Sequence, residues 1–331
     1  MFEIKELSID ELEAKASELG LVLPIEQTAA WARYQATIPG RTPWGCVSIE
    51  RDGACAALAS FVDYETHGYH YLRSHHAPLW VEPPTPEQES AALEALAAYV
   101  RKRDRRQVFA RLAVAADLDL CCPTLSTRPY NQTVVIDVTG GDEQILANMK
   151  GRGRRDVRKS LRECPATFAD ETAQGTADFS EYYEVMTDTA ARDGFTPSPM
   201  SDYQDMLRLL GPEHCRLFAG RVDGRVITWT IATISGTHAV RYYGASRSES
   251  ARTLATDGLI YFECCALGKM GCTQYDQMGI GNDFSPHLKS LNVFKTKFAK
   301  DVTDVAPDRD LPIRKTFYKA LVTAKRLRDH E

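Results

Sequence analysis

The sequence predicts an α/β fold of two tandem domains with mixed sheets, and three observations predict it. The chain is 331 residues long, which suits about two domains at roughly 150 residues each. An order of three strands, a helix and a further strand is legible twice. The two occurrences also keep register: Gly53 and Gly224 lie 171 residues apart, as do Tyr71 and Tyr242. Asp-Gly hairpins are common enough for two to match by chance, but four elements recurring in one order favour a duplication.

In the first copy, Trp44 to Tyr64 reads as two alternating strands around Asp52-Gly53, a strong hairpin signal. Tyr71 marks the third strand. A helix follows from Pro86 to Asp104, with Ala91, Leu93, Leu96, Ala97 and Val100 at helical spacing, and then a strand from Val108 to Ala115. The second copy repeats this grammar: a hairpin from Arg216 to Ser235 around Asp223-Gly224, a strand at Tyr242, a helix from Thr256 to Gly271 and a strand from Thr273 to Gly279. Gly271 suits a helix C-cap.

Between the copies, Ile145, Leu146, Met149, Val157 and Leu161 line one face of a helical segment, Asp142 to Cys164, broken at Gly151 to Gly153. A second helix is expected from Asp178 to Gly194. A last helix is expected from Leu311 to Arg328, with Pro312 in its first turn. The domains read as 1–146 and 147–310.

Composition excludes several classes. Net charge is −5 and the pI is near 6.0, so the chain is not a generally basic nucleic-acid binder. The longest stretch of the second half without Asp, Glu, Lys or Arg is Val226 to Val240, too short and too polar for a bilayer span. The acidic N-terminus lacks the apolar run of a secretory signal. Nine cysteines without a C-x-x-C suit free thiols in a reducing cytoplasm. His67, His70, His75 and His76 cluster in sequence, but lack the spacing of a zinc site, so no metal is expected. Neither a Ser-His-Asp spacing nor a nucleophile elbow is visible.

Charge is unevenly spread. Lys150, Arg152, Arg154, Arg155, Arg158, Lys159 and Arg162 place seven cations within 13 positions. Such a run either contacts nucleic-acid phosphates or forms a solvated helix face. The segment from Arg314 to Arg328 carries six basic residues and no acidic one, which fits RNA or an anionic membrane surface.

The repeated order resembles the Gcn5-related acetyltransferase (GNAT) architecture, twice over. Members of that family wrap the coenzyme A diphosphate with an Arg/Gln-x-x-Gly-x-Gly/Ala loop at a helix N-terminus. Neither corresponding segment here, Ser246 to Gly258 or Ala77 to Gln88, contains that pattern, so no coenzyme A and no other cofactor is expected. Glu26-QTAAWARYQ-Gln35, Thr133-VVIDV-Val138 with the following MKGRGRRDVRKSL, Thr187-DTAARDGF-Phe195, Tyr242-YGAS-Ser246, Tyr275-DQMGI-Ile280 and Phe294-KTKF-Phe298 together resemble the Fem aminoacyltransferases, which are built from two GNAT-like domains.

The resemblance implies transfer of an amino acid from aminoacyl-tRNA, as co-substrate, to the stem-peptide amine of a peptidoglycan precursor, lipid II or UDP-MurNAc-pentapeptide. It implies a cytoplasmic enzyme, with peripheral contact at the inner membrane face through lipid II. No sustained heptad run is present, so the chain resembles the short type without a coiled-coil arm. In that type the C-terminal helix, here 311–331, packs back on the first domain.

The same resemblance makes Lys295 the oxyanion donor, with Phe294 beside the tRNA 3′ end. Tyr243 would face substrate, and the alternation of a strand would then send Tyr242 to the core. Asp276 either orients Lys295 or caps a turn. Arg192 and Asp193 suit a carboxylate or diphosphate, or simply pair with each other at a helix end. Trp31 and Arg73 would line the acceptor cleft. Gln35 stands where many members have a contacting Lys. Lys297, Arg154, Arg155, Arg158 and Lys159 are the candidates for tRNA phosphates. Two alternatives stay open: a GNAT-like acyltransferase for another amine, and a non-catalytic protein that binds tRNA or cell-wall precursor.

Overall fold

Both Asp-Gly pairs have positive φ, 54° and 85° at Asp52 and Gly53 and 49° and 80° at Asp223 and Gly224. This is the type I′ geometry whose twist matches that of paired strands, and each turn closes an antiparallel hairpin. The computed structural model, which describes residues 1–329, divides the chain into two units, 1–131 with 305–331 and 132–304.

The first unit runs β1 (Phe2–Leu7), α1 (Ile9–Glu18), α2 (Ala29–Gln35), β2 (Arg41–Arg51), β3 (Ala54–Thr66), β4 (Tyr69–Arg73), β5 (Leu79–Trp80), α3 (Pro86–Arg103) and β6 (Gln107–Ala113). The second runs β7 (Gln132–Asp137), α4 (Asp142–Asn148), α5 (Gly151–Glu163), β8 (Thr167–Asp170), α6 (Thr172–Ala177), α7 (Ser180–Asp193), α8 (Met200–His214), β9 (Cys215–Val222), β10 (Arg225–Ser235), β11 (His238–Ser246), α9 (Ser248–Thr253), α10 (Ala255–Lys269), β12 (Gln274–Gly279), α11 (Asn292–Lys295) and β13 (Thr303–Asp304). The chain then returns to the first unit as β14 (Asp308–Pro312) and α12 (Lys315–Asp329).

Each unit holds one seven-stranded sheet. The orders are β1-β2-β3-β4-β6-β14, with β5 on β3, and β13-β7-β12-β11-β10-β9-β8. Pairing is antiparallel except at β4–β6 and β11–β12, so both sheets are mixed. In each copy a helix, α3 or α10, connects the two parallel strands, as parallel pairing demands. The fold is α/β, two tandem GNAT-like domains.

Local chemistry explains the connecting helices. α3 opens with a capping box between Thr85 and Gln88 and Pro86 in its first turn. It buries Ala92, Leu93, Leu96, Ala97 and Val100, while Ala91, expected on that face, is exposed. In the second unit Ile145, Met149 and Val157 join a buried cluster with Leu259, Ile260, Leu267, Tyr275 and Phe298. Leu161 does not; it is exposed. The nine cysteines are free thiols. No described helix is long and apolar enough to cross a membrane.

Three expectations need correction. The boundary falls before Gln132, not after residue 146, because β7 pairs with β12 and so belongs, with α4 after it, to the second unit. The return begins at Val305, and Leu311 and Pro312 lie in β14 rather than in a helix. β14 is an edge strand, where a proline without an N–H is tolerated. The last helix therefore starts at Lys315, and the final residues of the expected span, 330 and 331, lie outside those described. The helix break sits at Met149 and Lys150, and Gly151 to Gly153 open α5.

Gly153 is required by close approach. A Cβ there would lie 2.2 Å from the Lys297 carbonyl oxygen, and that same carbonyl accepts from the Lys150 amide at 3.1 Å. Gly153→Ala gains up to about 1 kcal/mol of helix propensity but overpacks a backbone contact, costing about 1–3 kcal/mol. A lower denaturation midpoint is the expected result. An unchanged or higher midpoint would show that α5 and the 294–298 turn separate without cost.

Candidate active site

β11 and β12 open a wedge in the second sheet. Their parallel pairing ends at Val240 opposite Asp276, although β11 continues to Ser246 and β12 to Gly279. β12 is bulged: its register with β7 slips between Asp276 and Gly279, and Met278 has φ 60°. A non-glycine residue stays in that region only when its surroundings hold it there. Asp276 does so, its Oδ1 accepting from the Met278 amide at 2.7 Å and from the Thr133 hydroxyl.

The bulge gives Lys295 its seat. The Lys295 Nζ donates to the carbonyl oxygens of Met278 at 3.3 Å and Gly279 at 2.9 Å. An ammonium has three N–H groups, so one remains for a ligand. Burial, and then the Arg241 cation, hold the Lys295 pKa down to about 8, against an opposing pull from Asp276. Asp276 thus caps the turn whose carbonyls seat Lys295.

Arg241, the first β11 residue beyond the paired segment, was not singled out in the sequence. One of its nitrogens donates to Thr230 Oγ1 at 2.9 Å, and its Nε lies 3.8 Å from Glu263 Oε2. Glu263 is fully buried on α10 and accepts from the Tyr275 hydroxyl at 2.6 Å. Burial pushes the Glu263 pKa up, with Arg241 opposing. Two cations, Arg241 and Lys295, therefore face this wedge above one buried carboxyl. A site of that sign accepts developing negative charge.

Tyr242 departs from expectation. Ile231 pairs with Tyr243 and Ala232 with Arg241, so Tyr242 is the extra residue of a bulge. The alternation behind its assignment to the core fails there, and both tyrosines are half-buried. Their rings meet edge to face at 5.3 Å, and Tyr243 meets Tyr203 at 4.9 Å. Arg192 forms a two-point pair with Asp193, at 2.8 and 3.0 Å, and donates to the Ser246 carbonyl at 2.7 Å. It thereby ties the end of α7 to the end of β11.

Lys297 is not a surface cation. It is 7% exposed, pairs with Asp156 at 3.2 Å and with Asp257, and lies 5.1 and 5.2 Å from the Phe294 and Phe298 ring centroids. Burying it joins α5, α10 and the turn that carries Lys295. Phe294 is half-buried and packs on the core cluster. Arg154 is half-buried and donates to the Ala147 and Met149 carbonyls, closing the end of α4. Arg155, Arg158 and Lys159 are exposed; Arg155 reaches Asp156 at 3.4 Å and Lys159 reaches Glu163 at 3.9 Å.

Trp31 and Arg73 belong to the first unit. Trp31 is 4% exposed and stacks edge-on with Tyr34 at 5.2 Å, a core role. Arg73 pairs with Asp308 of β14 at 3.2 Å. Gln35 is also buried, its Oε1 accepting from Arg41 at 3.0 Å and the Tyr64 hydroxyl at 3.2 Å. Among the described residues, no group of three or more His, Cys, Asp or Glu is placed to hold a metal.

Comparison with known proteins agrees with this architecture. Residues 151–285 match the acetyltransferase (GNAT) domain family. The structure of FemX superposes with a TM-score of 0.74 at 15% identity, covering 96% of this chain and 99% of that one. A tandem GNAT protein from the clavulanic acid biosynthesis pathway, solved without acetyl-CoA, gives 0.52 at 11% identity, over 95% and 99% of the two chains. The C-terminal domain of a putative lysylphosphatidylglycerol synthetase from Agrobacterium fabrum gives 0.51 at 13% identity, over 82% and 85%. No curated protein matches by sequence. The chain has an acyltransferase fold, similar to FemX along nearly its whole length.

Proposed function

We propose that this chain is a Fem-type aminoacyltransferase that moves an amino acid from aminoacyl-tRNA to the stem-peptide amine of a peptidoglycan precursor, lipid II or its soluble nucleotide-linked form. The observation that carries the reading is Lys295, held on two carbonyls of the β12 bulge beside Arg241 with one N–H to spare. The fold shared with FemX supports it.

The amine nitrogen attacks the ester carbon, and the carbonyl electrons move onto oxygen. Lys295 donates to that oxyanion as charge develops, usually the largest single catalytic term. The intermediate collapses with loss of the ribose oxygen, the C–N bond replaces the C–O bond, and the amine proton ends on a substrate group, a phosphate or the ribose hydroxyl. Aminoacyl-tRNA is preferred to acetyl-CoA as donor on one ground. The segment after β11 folds as α9 instead of a glycine-rich wrap.

The test is incubation with pooled radiolabelled aminoacyl-tRNAs and, separately, lipid II carrying Lys or ornithine and UDP-MurNAc-pentapeptide. Label on a stem peptide is expected. Absence of transfer from every charged tRNA to every acceptor would sink the reading in favour of a binding protein, and label on an unrelated amine would favour another acyl acceptor.

A further inference from the structure

The first unit carries a cationic cavity that the transferase reading does not use. It measures about 730 Å³ and is lined by Arg101, Lys102, Arg105, Gln107 and Arg314, with Ala98 and Ile313. Arg101 donates to the Ile313 carbonyl at 3.2 Å, and Arg314 lies over the Phe317 ring at 5.0 Å. None of the four cations has an ion-pair partner among the described residues. Four unpaired cations around one cavity select an anion with several oxygens.

Gln107 adds a second, independent requirement. It is fully buried, its Nε2 donates to Asp104 at 3.1 Å, and its Oε1 has no partner. A buried acceptor left unpaired is costly. The group that satisfies it must bring a donor such as a hydroxyl, which a bare phosphate dianion lacks.

Arg314, in the wall of the cavity, directly precedes α12. Tyr318 is buried there, and Leu321 and Val322 pack beneath the helix with Tyr71, Val108 and Phe109. Phe317, Ala320, Ala324 and Leu327 are exposed at spacings of three and four, Phe317 by 36% and Leu327 by 67%. Lys315, Lys319 and Arg326 are exposed along one side of this stripe, with Thr316 and Thr323 between. An apolar stripe with cations along one side suits a helix lying in a headgroup layer, whereas nucleic acid would use the cations and leave the stripe in water.

We propose that this face of the first unit docks on an anionic bilayer, α12 entering the headgroup layer and the cavity taking a phospholipid headgroup that carries a hydroxyl beside its phosphate. Charge complementarity supplies the attraction, at about 1 kcal/mol, or fivefold, per cation near the surface. The stripe supplies the depth. The docking is independent of whether the second unit transfers an amino acid.

The test is co-sedimentation of the full chain with vesicles of phosphatidylcholine alone, with phosphatidylglycerol, or with an equal charge of phosphatidylmethanol, which lacks the headgroup hydroxyl. Binding is expected only with the anionic lipids and best with phosphatidylglycerol. Arg105→Ala and Arg314→Ala, both at exposed positions, should each weaken it about fivefold, and Leu327→Ser should weaken it while leaving the melting temperature unchanged. Gln107→Leu should remove the preference for phosphatidylglycerol over phosphatidylmethanol. The proposal is overturned if the vesicles do not retain the protein, if these variants bind like the parent, if the two anionic lipids bind equally to the parent, or if the variants lose tRNA binding instead.

Discussion

Lys295→Ala is expected to lower aminoacyl transfer by a factor of about 10²–10³, the usual effect of removing one positioned oxyanion donor, while tRNA binding persists. The donor acts as an ammonium, so the rate should fall as pH rises through about 8, where burial and Arg241 place its titration. The sign follows from the chemistry: a neutral amine carries no charge to set against the oxyanion. Lys295→Arg keeps a cation at every accessible pH. Its rate should be lower, because a planar fork does not match the seat on the Met278 and Gly279 carbonyls, but the alkaline fall should disappear. Arg241→Met removes the neighbouring cation and should move the fall to higher pH. Single-turnover transfer across pH 6 to 10 checks all three. Undiminished transfer in Lys295→Ala, or an alkaline limb that survives in Lys295→Arg, would remove Lys295 from the mechanism.

The parts of this site that were legible in sequence are those set by local chemistry. Both hairpins could be read because Asp52-Gly53 and Asp223-Gly224 demand positive φ and the flanking residues alternate. The repeat could be read because it is a pattern of such local signals. Lys295 came from resemblance; nothing in its neighbours distinguishes it from Lys297, two residues on. What separates them is long-range. Lys297 is buried against Asp156 and Asp257, residues 141 and 40 positions away, whereas Lys295 meets the carbonyls of a bulge. Tyr242 shows the same limit, since one inserted residue in β11 reverses the alternation that placed it in the core. The network of Arg241, Glu263 and Tyr275 was missed because a helix and two strands each contribute a single member.

The boundary between the units was misplaced for a related reason, and it leads to the largest expected effect on stability. β14 joins the first unit through a buried two-point ion pair. Arg111 Nε and NH2 donate to Asp310 Oδ1 and Oδ2 at 2.7 and 3.0 Å, with the two residues 1% and 0% exposed. Asp310 Oδ2 also accepts from the Leu125 amide at 2.9 Å and the Tyr318 hydroxyl at 3.1 Å, and Arg111 donates to Ser126 at 3.2 Å. One carboxylate thus gathers β6, the 122–126 loop, β14 and α12. Asp310→Ala leaves a guanidinium buried without its counter-charge, which costs about 3–5 kcal/mol, a large share of the 5–15 kcal/mol typical of a domain. Asp310→Ala should therefore lower the denaturation midpoint steeply and expose the segment after Val305 to proteolysis first. The double replacement Arg111→Met with Asp310→Leu removes both charges and should recover much of the loss. A double variant no more stable than Asp310→Ala would show that the geometry of the pair, and not the burial of an unpaired charge, holds the return segment in place.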